Sequence, residues 1–139
     1  MNITDLPFNR FIGIARSEKE GSVLSLPNDL RYTNHLGTVH AGALLALAEA
    51  TSGDYLIKEL QGIGFDVLPV VRRVEAKFRK PANGAIYSTV NIAPEKKEEF
   101  VSMLTTKGRA LLEIPVDVHD ENGTHALAVV LEWFVARKE

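Results

Sequence analysis

The chain has no cysteine among its 139 residues. That removes disulfides, thiolate metal sites and a cysteine nucleophile in one step. It also has little charge of either sign to spare: sixteen basic residues face eighteen acidic ones, for a net charge of −2. Such a balance exerts no general pull on nucleic acid or an anionic membrane, so any polyanion site must be local. Long hydrophobic runs are missing as well. The longest, Leu36 to Ala48, is too short to span a bilayer and contains His40. The start, MNITDLPFNRF, has neither the basic opening nor the apolar stretch of a secretory leader. The chain therefore reads as soluble and cytoplasmic, with neither nucleic acid nor membrane as partner. No internal repeat, low-complexity tract or linker divides it, so a single domain over residues 1–139 is expected. Glycine-rich phosphate loops, serine-hydrolase elbows and zinc-type histidine spacings are all absent.

What is present is an ordinary globular mixture, 45% hydrophobic and 24% charged, enough for one core. Thr4 or Asp5 is placed to cap a short helix through Phe11, with Pro7 in its first turn. Residues 11–17 and 22–27 read as short strands about a Glu18–Gly21 turn, and Pro27-Asn28-Asp29 ends that unit. From Val39 to Leu60, alanine, leucine and glutamate predict a long helix, stopped by Gly62 and Gly64. The period then falls to two. Val70, Arg72, Val74, Ala76, Phe78 and Lys80 are expected on one face of a strand, and Val71, Arg73, Glu75, Lys77 and Arg79 on the other. A Pro81–Gly84 turn, a strand over 85–92, a charged helix over 94–106 and two strands over 109–119 and 124–137 follow. Asp120-Glu121-Asn122-Gly123 joins the last pair as a hairpin. The fold class implied is α+β, an antiparallel sheet curled around one long buried helix.

Between Arg31 and Asp54 the only formal charge is Glu49. It borders a small-residue stripe, Ala43, Ala46, Ala50 and Gly53, which permits close approach of whatever covers the helix. A carboxylate in such a place is costly unless it is paired or used, which marks Glu49 as the candidate catalytic group. The run Gly37-Thr38-Val39-His40-Ala41-Gly42 opens the same helix with small residues. Its first amides lack intrahelical partners and carry the positive end of the dipole, a setting suited to an oxyanion. From Ala41 to Glu49, however, the helix rises about 12 Å, more than a glutamate side chain spans. If both groups act on one carbonyl, two helices must lie side by side in opposite senses, one from each of two subunits. An obligate homodimer with two shared sites follows.

Asn34-His35-Leu36-Gly37-Thr38-Val39-His40-Ala41-Gly42, with Glu49 nine residues after His40, resembles the signature of the phenylacetate-pathway branch of hotdog-fold thioesterases. Asn34, Gly37, His40, Gly42 and Glu49 match, the Lys77–Ala82 strand end looks like that family, and the resemblance spans residues 30–136. The chain departs from it at Ala41, where a glycine is common, in having Glu rather than Asp as the acid, and in the inserted helix at 94–106. The resemblance implies a hotdog fold and hydrolysis of an acyl-CoA or carrier-protein thioester, with coenzyme A as part of the substrate and no other cofactor or metal. Glu49 would serve as general base or nucleophile, the Ala41 amide would polarise the carbonyl, and Asn34 would position the carbonyl or water. His40 would shape the loop or lie near the leaving sulfur. Gly42, Thr51 and Ser52 are candidate contacts for substrate or water, although back-bonding into the helix competes for both hydroxyls. Self-association as a homodimer or a dimer of dimers is implied.

Arg72, Arg73, Lys77, Arg79 and Lys80 concentrate positive charge on one strand and its turn, a local anion site suited to the phosphates of coenzyme A. His119 and His125 read as exposed turn residues rather than ligands. Two other functions fit less well. A thioester hydratase would use His35 with Glu49, but Leu36-Gly37 lacks the proline of that family's opening, and Leu44 stands where it has glycine. A binding module that has lost turnover would be favoured by Ala41 and the inserted helix.

Overall fold

The computed structural model describes all residues, 1–139. Its secondary structure comprises α1 (Pro7–Ile12), β1 (Ala15–Arg16), β2 (Leu24–Leu26), α2 (Ala41–Leu60), β3 (Val67–Phe78), β4 (Ile86–Val90), α3 (Pro94–Lys107), β5 (Arg109–Asp120) and β6 (His125–Arg137), with 3-10 turns at Ile3–Asp5 and Leu30–Tyr32. The strands form one antiparallel sheet in the order β1-β2-β4-β5-β6-β3. This is the α+β arrangement expected, with α2 held against the concave side. Alternation drives the packing. Along β5 the even positions Ala110, Leu112, Ile114, Val116 and Val118 are buried, and along β6 Leu127, Val129, Leu131 and Val135 join them beneath Leu44, Leu47, Ala48 and Leu56 of α2. α3 closes one end of this core with Phe100 and Leu104 and is tied to α2 by the Lys97–Glu59 ion pair. Each of those two apolar side chains contributes roughly 1.5–3 kcal/mol through burial.

Local details depart from expectation at three places. Neither Thr4 nor Asp5 caps α1: Leu6 precedes Pro7 at its start, and the capping carboxamide belongs to Asn2, on the preceding 3-10 turn. Strands β1 and β2 are much shorter than 11–17 and 22–27, because residues 7–12 complete a helical turn that ends at Gly13, in the left-handed region at φ 84°. The third departure changes which residues share a face. A β-bulge at Arg72 breaks the register of β3 on β6, so that Val71 lies opposite Trp133 and Arg73 opposite Glu132. The extra residue shifts the alternation by one. Val71, Val74, Ala76 and Phe78 therefore turn to the helix side, whereas Val70, Arg73, Glu75 and Lys77 turn outward. Val70 and Val74, expected together, lie on opposite faces.

α2 packs on β2, β4, β5 and part of β6 and leaves β3 largely open. Val74 and Phe78 point to the helix side, yet are 47% and 49% exposed. β3 is also the edge of the sheet, with one side of its backbone unpaired.

Candidate active site

The loop leading into α2 is built on Asn34. Its Oδ1 accepts from the amides of Leu36 (2.9 Å) and Thr38 (3.1 Å), and its Nδ2 donates to Thr38 Oγ1 (2.8 Å). The backbone closes the same loop through Asn34 N to Thr38 O (2.8 Å) and His40 N to Tyr32 O (2.7 Å), with Gly37 at φ 77° making the turn. Val39 N donates to Ala82 O (2.9 Å), which lashes this loop to the turn after β3. Asn34 thus spends its carbonyl oxygen and one amide hydrogen on local architecture.

At the head of α2, His40 is the N-cap: its Nδ1 accepts from Gly42 N at 2.8 Å. A Cβ at Gly42 would meet the imidazole at 3.0 Å, so a side chain there would push the capping ring aside by a few tenths of an ångström. The amides of Ala43 and Leu44 both donate to His40 O. Of the four first-turn donors, the Ala41 amide alone has no partner within the chain. Gly42, named from sequence as a substrate contact, has its amide engaged in the cap instead.

Ala41, whose amide is free, lines a cleft of about 310 Å³ together with Asn34, Leu36, Leu44, Phe78, Arg79 and Lys80, among others. Asn34, Ala41, Arg79 and Lys80 therefore come together as the sequence suggested. Arg72, Arg73 and Lys77 do not join them. The bulge carries Arg72 to the outer face, where it pairs with Glu132 (3.4 Å); Arg73 pairs with Glu75; and Lys77 lies opposite Ala128 on that face. Thr51 and Ser52 are also displaced from the substrate role. Both are buried, Thr51 Oγ1 on Leu47 O (2.7 Å) and Ser88 Oγ (2.6 Å), and Ser52 Oγ on Glu49 O (2.7 Å) while accepting from Trp133 Nε1 (2.9 Å).

Glu49 stands two turns along α2, outside the cleft. It is half-buried, and burial pushes its carboxyl above the usual range. Ser52 and Gly53, one turn on, touch Trp133 of β6, so Glu49 sits on the flank of α2 that overlooks the open inner face of β3. No ion pair or hydrogen bond within the chain engages its carboxylate.

One determinant escaped the sequence. Asp120 is fully buried, its Oδ2 accepting from Asn83 N (2.9 Å) and its Oδ1 from the amides of Asn122 and Thr124 (2.9 Å each). Burial alone would raise its carboxyl, but the amides of Asn83, Thr124 and Asn122 outweigh that and hold it below the usual range. Glu121 adds a second strut, accepting from Ala85 N (2.7 Å) across Gly84, where a Cβ would collide with its carboxylate. The hairpin tip thereby fixes the turn that carries Arg79 and Lys80. Asp120 was legible as a turn residue, but a tether across thirty-seven positions leaves no local signal. His119 and His125 stack at 4.6 Å, with His125 Nε2 on Asp117 Oδ1 (2.8 Å). No helix is long and apolar enough to cross a membrane.

Known structures share this fold. A Pseudomonas aeruginosa protein of unknown function, described as a probable thioesterase, aligns over 98% of this chain and 91% of its own at 24% identity, with TM-score 0.78. A thioesterase from Haemophilus influenzae aligns over 97% and 86% at 16% identity, TM-score 0.67. A Bacillus halodurans protein solved with CoA aligns over 92% and 74% at 16%, TM-score 0.68. At these identities the likeness establishes the architecture, the hotdog arrangement of a sheet wrapped around a central helix. No curated protein matches the sequence. The family model described as Domain of unknown function (DUF4442) matches residues 11–135, nearly the whole chain, and the protein belongs to that family.

Proposed function

We propose that the protein hydrolyses acyl thioesters of coenzyme A or a carrier protein, in two sites shared across a homodimer. The observation that carries this reading is the unpartnered amide of Ala41, a residue that lines a cleft with Arg79 and Lys80 at its wall. In the same chain, the one catalytic-type carboxylate, Glu49, lies half-buried beyond that cleft. Each group lacks its complement within one chain. A second copy, laid antiparallel on the open inner face and free edge of β3, would bring its Glu49 toward this Ala41.

In that arrangement, water attacks the thioester carbonyl while the Glu49 carboxylate takes its proton. The tetrahedral oxyanion forms against the Ala41 N–H, where a donor at a helix start is worth most. The C–S bond then breaks, the proton passes from Glu49 to the departing sulfur, and a carboxylic acid and a thiol remain. Arg79 and Lys80 supply cations for phosphates, and Leu36, Leu44 and Phe78 give apolar walls. The thioesterase among the structural relatives and the relative solved with CoA agree with this chemistry. A hydratase is less well supported, since His35 is exposed and does not line the cleft.

A panel of short, long and aromatic acyl-CoA substrates, assayed for free thiol with wild type and Glu49→Gln, tests the reading. Hydrolysis by wild type and its loss in an intact Glu49→Gln dimer are expected. Absence of turnover on every substrate rejects hydrolysis, and CoA binding that is unchanged in Glu49→Gln would then leave a binding module.

A further inference from the structure

Two asparagines in the chain are followed by glycine, in Asn83-Gly84 and Asn122-Gly123. In such a pair the glycine nitrogen can reach the asparagine side-chain carbonyl carbon, because no Cβ stands in the way and the backbone turns freely. Both pairs lie in turns, with Asn83 and Asn122 exposed and both glycines at φ 80°. Neither carboxamide has a hydrogen-bond partner within the chain.

The two pairs differ at the glycine nitrogen. Gly123 N donates to Asp120 O at 3.0 Å, closing the hairpin turn beside Asn122 N on Asp120 Oδ1 (2.9 Å). Gly84 N has no acceptor in the chain. The amides on either side of it are held, Asn83 N by Asp120 Oδ2 (2.9 Å) and Ala85 N by Glu121 Oε1 (2.7 Å). A nitrogen that donates in a turn must break that bond before it can lose its proton and swing toward a side chain. Gly84 has no such bond to lose. An uncommitted nucleophile and an uncommitted carboxamide therefore occur together only at Asn83-Gly84.

We infer that Asn83 is a site of spontaneous deamidation in the folded protein, and that its conversion weakens the hold of the cleft on phosphates. Gly84 N, its proton passing to solvent base, bonds to Asn83 Cγ. The Cγ–Nδ2 bond breaks, and the departing nitrogen takes a proton from solvent and leaves as ammonia. Water then opens the cyclic imide at either carbonyl, giving aspartate or its β-linked isomer. The sum is an amide and water converted to a carboxylate and ammonium, with no oxidant and no cofactor. The product adds a negative charge next to Arg79, Lys80, Pro81 and Ala82, which line the cleft. The β-linked isomer also inserts a main-chain atom between the tethers at Asn83 N and Ala85 N, which strains the same turn. The chemistry at Asn83 stands by itself, whereas its effect on the cleft rests on the proposed function.

Peptide mass mapping of folded wild type held at mildly alkaline pH, beside the same chain unfolded in guanidinium chloride, tests it. In the folded protein Asn83 should convert faster than Asn122. In the unfolded chain, where both turns are gone, the two should convert at similar rates. Equal rates in the folded protein, or faster conversion of Asn122, overturn the inference, as does an Asn83 that stays intact while the folded protein ages. Aged wild type should show KM for acyl-CoA raised roughly two- to fivefold with kcat retained, and no change on a thioester without phosphates. Asn83→Ser, aged alongside, should keep its KM. A rise in Asn83→Ser equal to that in wild type, or none in wild type with Asn83 fully converted, overturns the effect on the cleft. Wild type without turnover on any thioester rejects the proposed function, and the comparison of Asn83 with Asn122 still decides the modification.

Discussion

Replacing Asp120 by alanine removes a buried carboxylate that organises two loops at once. Its two oxygens take three backbone amides, each at 2.9 Å: Asn122 and Thr124 within the hairpin, and Asn83 across to the turn after β3. A hydrogen bond to a charged group contributes about 1.5–3 kcal/mol, but two of the orphaned amides lie at a hairpin tip where water can replace the carboxylate. The net loss expected is therefore about 2–4 kcal/mol. Unfolding entropy of about 2.1 cal/mol/K per residue turns that into a fall in Tm of roughly 7–14 °C for a chain of this length. Asparagine separates the two tethers. Its oxygen can keep Asn122 and Thr124, but its NH₂ then faces the Asn83 N–H, donor to donor, so about half the loss should remain. The sign of the pH dependence follows from the lowered carboxyl. A group more acidic in the folded protein adds stability that is complete above its unfolded value and disappears as pH falls through its folded value. Urea unfolding of wild type, Asp120→Asn and Asp120→Ala from neutral pH to about pH 3 reads both effects. The wild-type advantage over alanine should narrow toward acid. An alanine variant within about 0.5 kcal/mol of wild type, or a gap that does not move with pH, refutes the assignment.

Glu49→Gln should lower kcat by about 10²–10⁴-fold if Glu49 is the base. It should also raise stability at neutral pH, because a carboxyl raised by burial makes the folded state less stable as pH climbs past its unfolded value; calorimetry that shows a lower Tm for the variant contradicts this. In wild type, turnover should fall on the acid side at a pH above the ordinary glutamate range, as read from a kcat–pH profile. His40→Ala removes the cap of α2 and should cost about 1 kcal/mol in urea unfolding, whereas His40→Asn, a capping residue, should recover most of it. Arg79→Ala and Lys80→Ala should raise KM for acyl-CoA and leave kcat nearly unchanged, which initial rates on CoA and on a truncated thioester without phosphates would separate.

Much of this was legible in order. The long helix, the α+β sheet and the hairpin at Asp120–Gly123 follow from periodicity and turn residues, because burial repeats locally every 3.6 or every 2 positions. The head of the helix was legible for the same reason: small residues and a histidine sit within one turn of each other. The cationic strand was not. A bulge is a relation between two strands, and nothing in Val70–Phe78 itself says that Arg72 will be the residue left over. Sequence spacing therefore grouped five cations, of which only Arg79 and Lys80 reach the cleft. Thr51 and Ser52 failed differently. Proximity to Glu49 along the chain ignored that their hydroxyls fall on the sheet side, where Ser88 and Trp133 claim them.

The single surplus residue at Arg72 has a consequence for changes in chain length. Upstream and downstream of it, β3 runs in opposite phase, so the strand holds two short patterns rather than one long one. Deleting Arg72 would merge them into a single phase in the register already present, with Val71 still opposite Trp133 and Arg73 opposite Glu132, so Val71 would stay toward α2 and Val70 away from it. A one-residue deletion there would be absorbed without exchanging what the two faces present, and would remove only Arg72 and its ion pair with Glu132. Comparisons between relatives of this chain should therefore count residues across 70–74 before comparing their types.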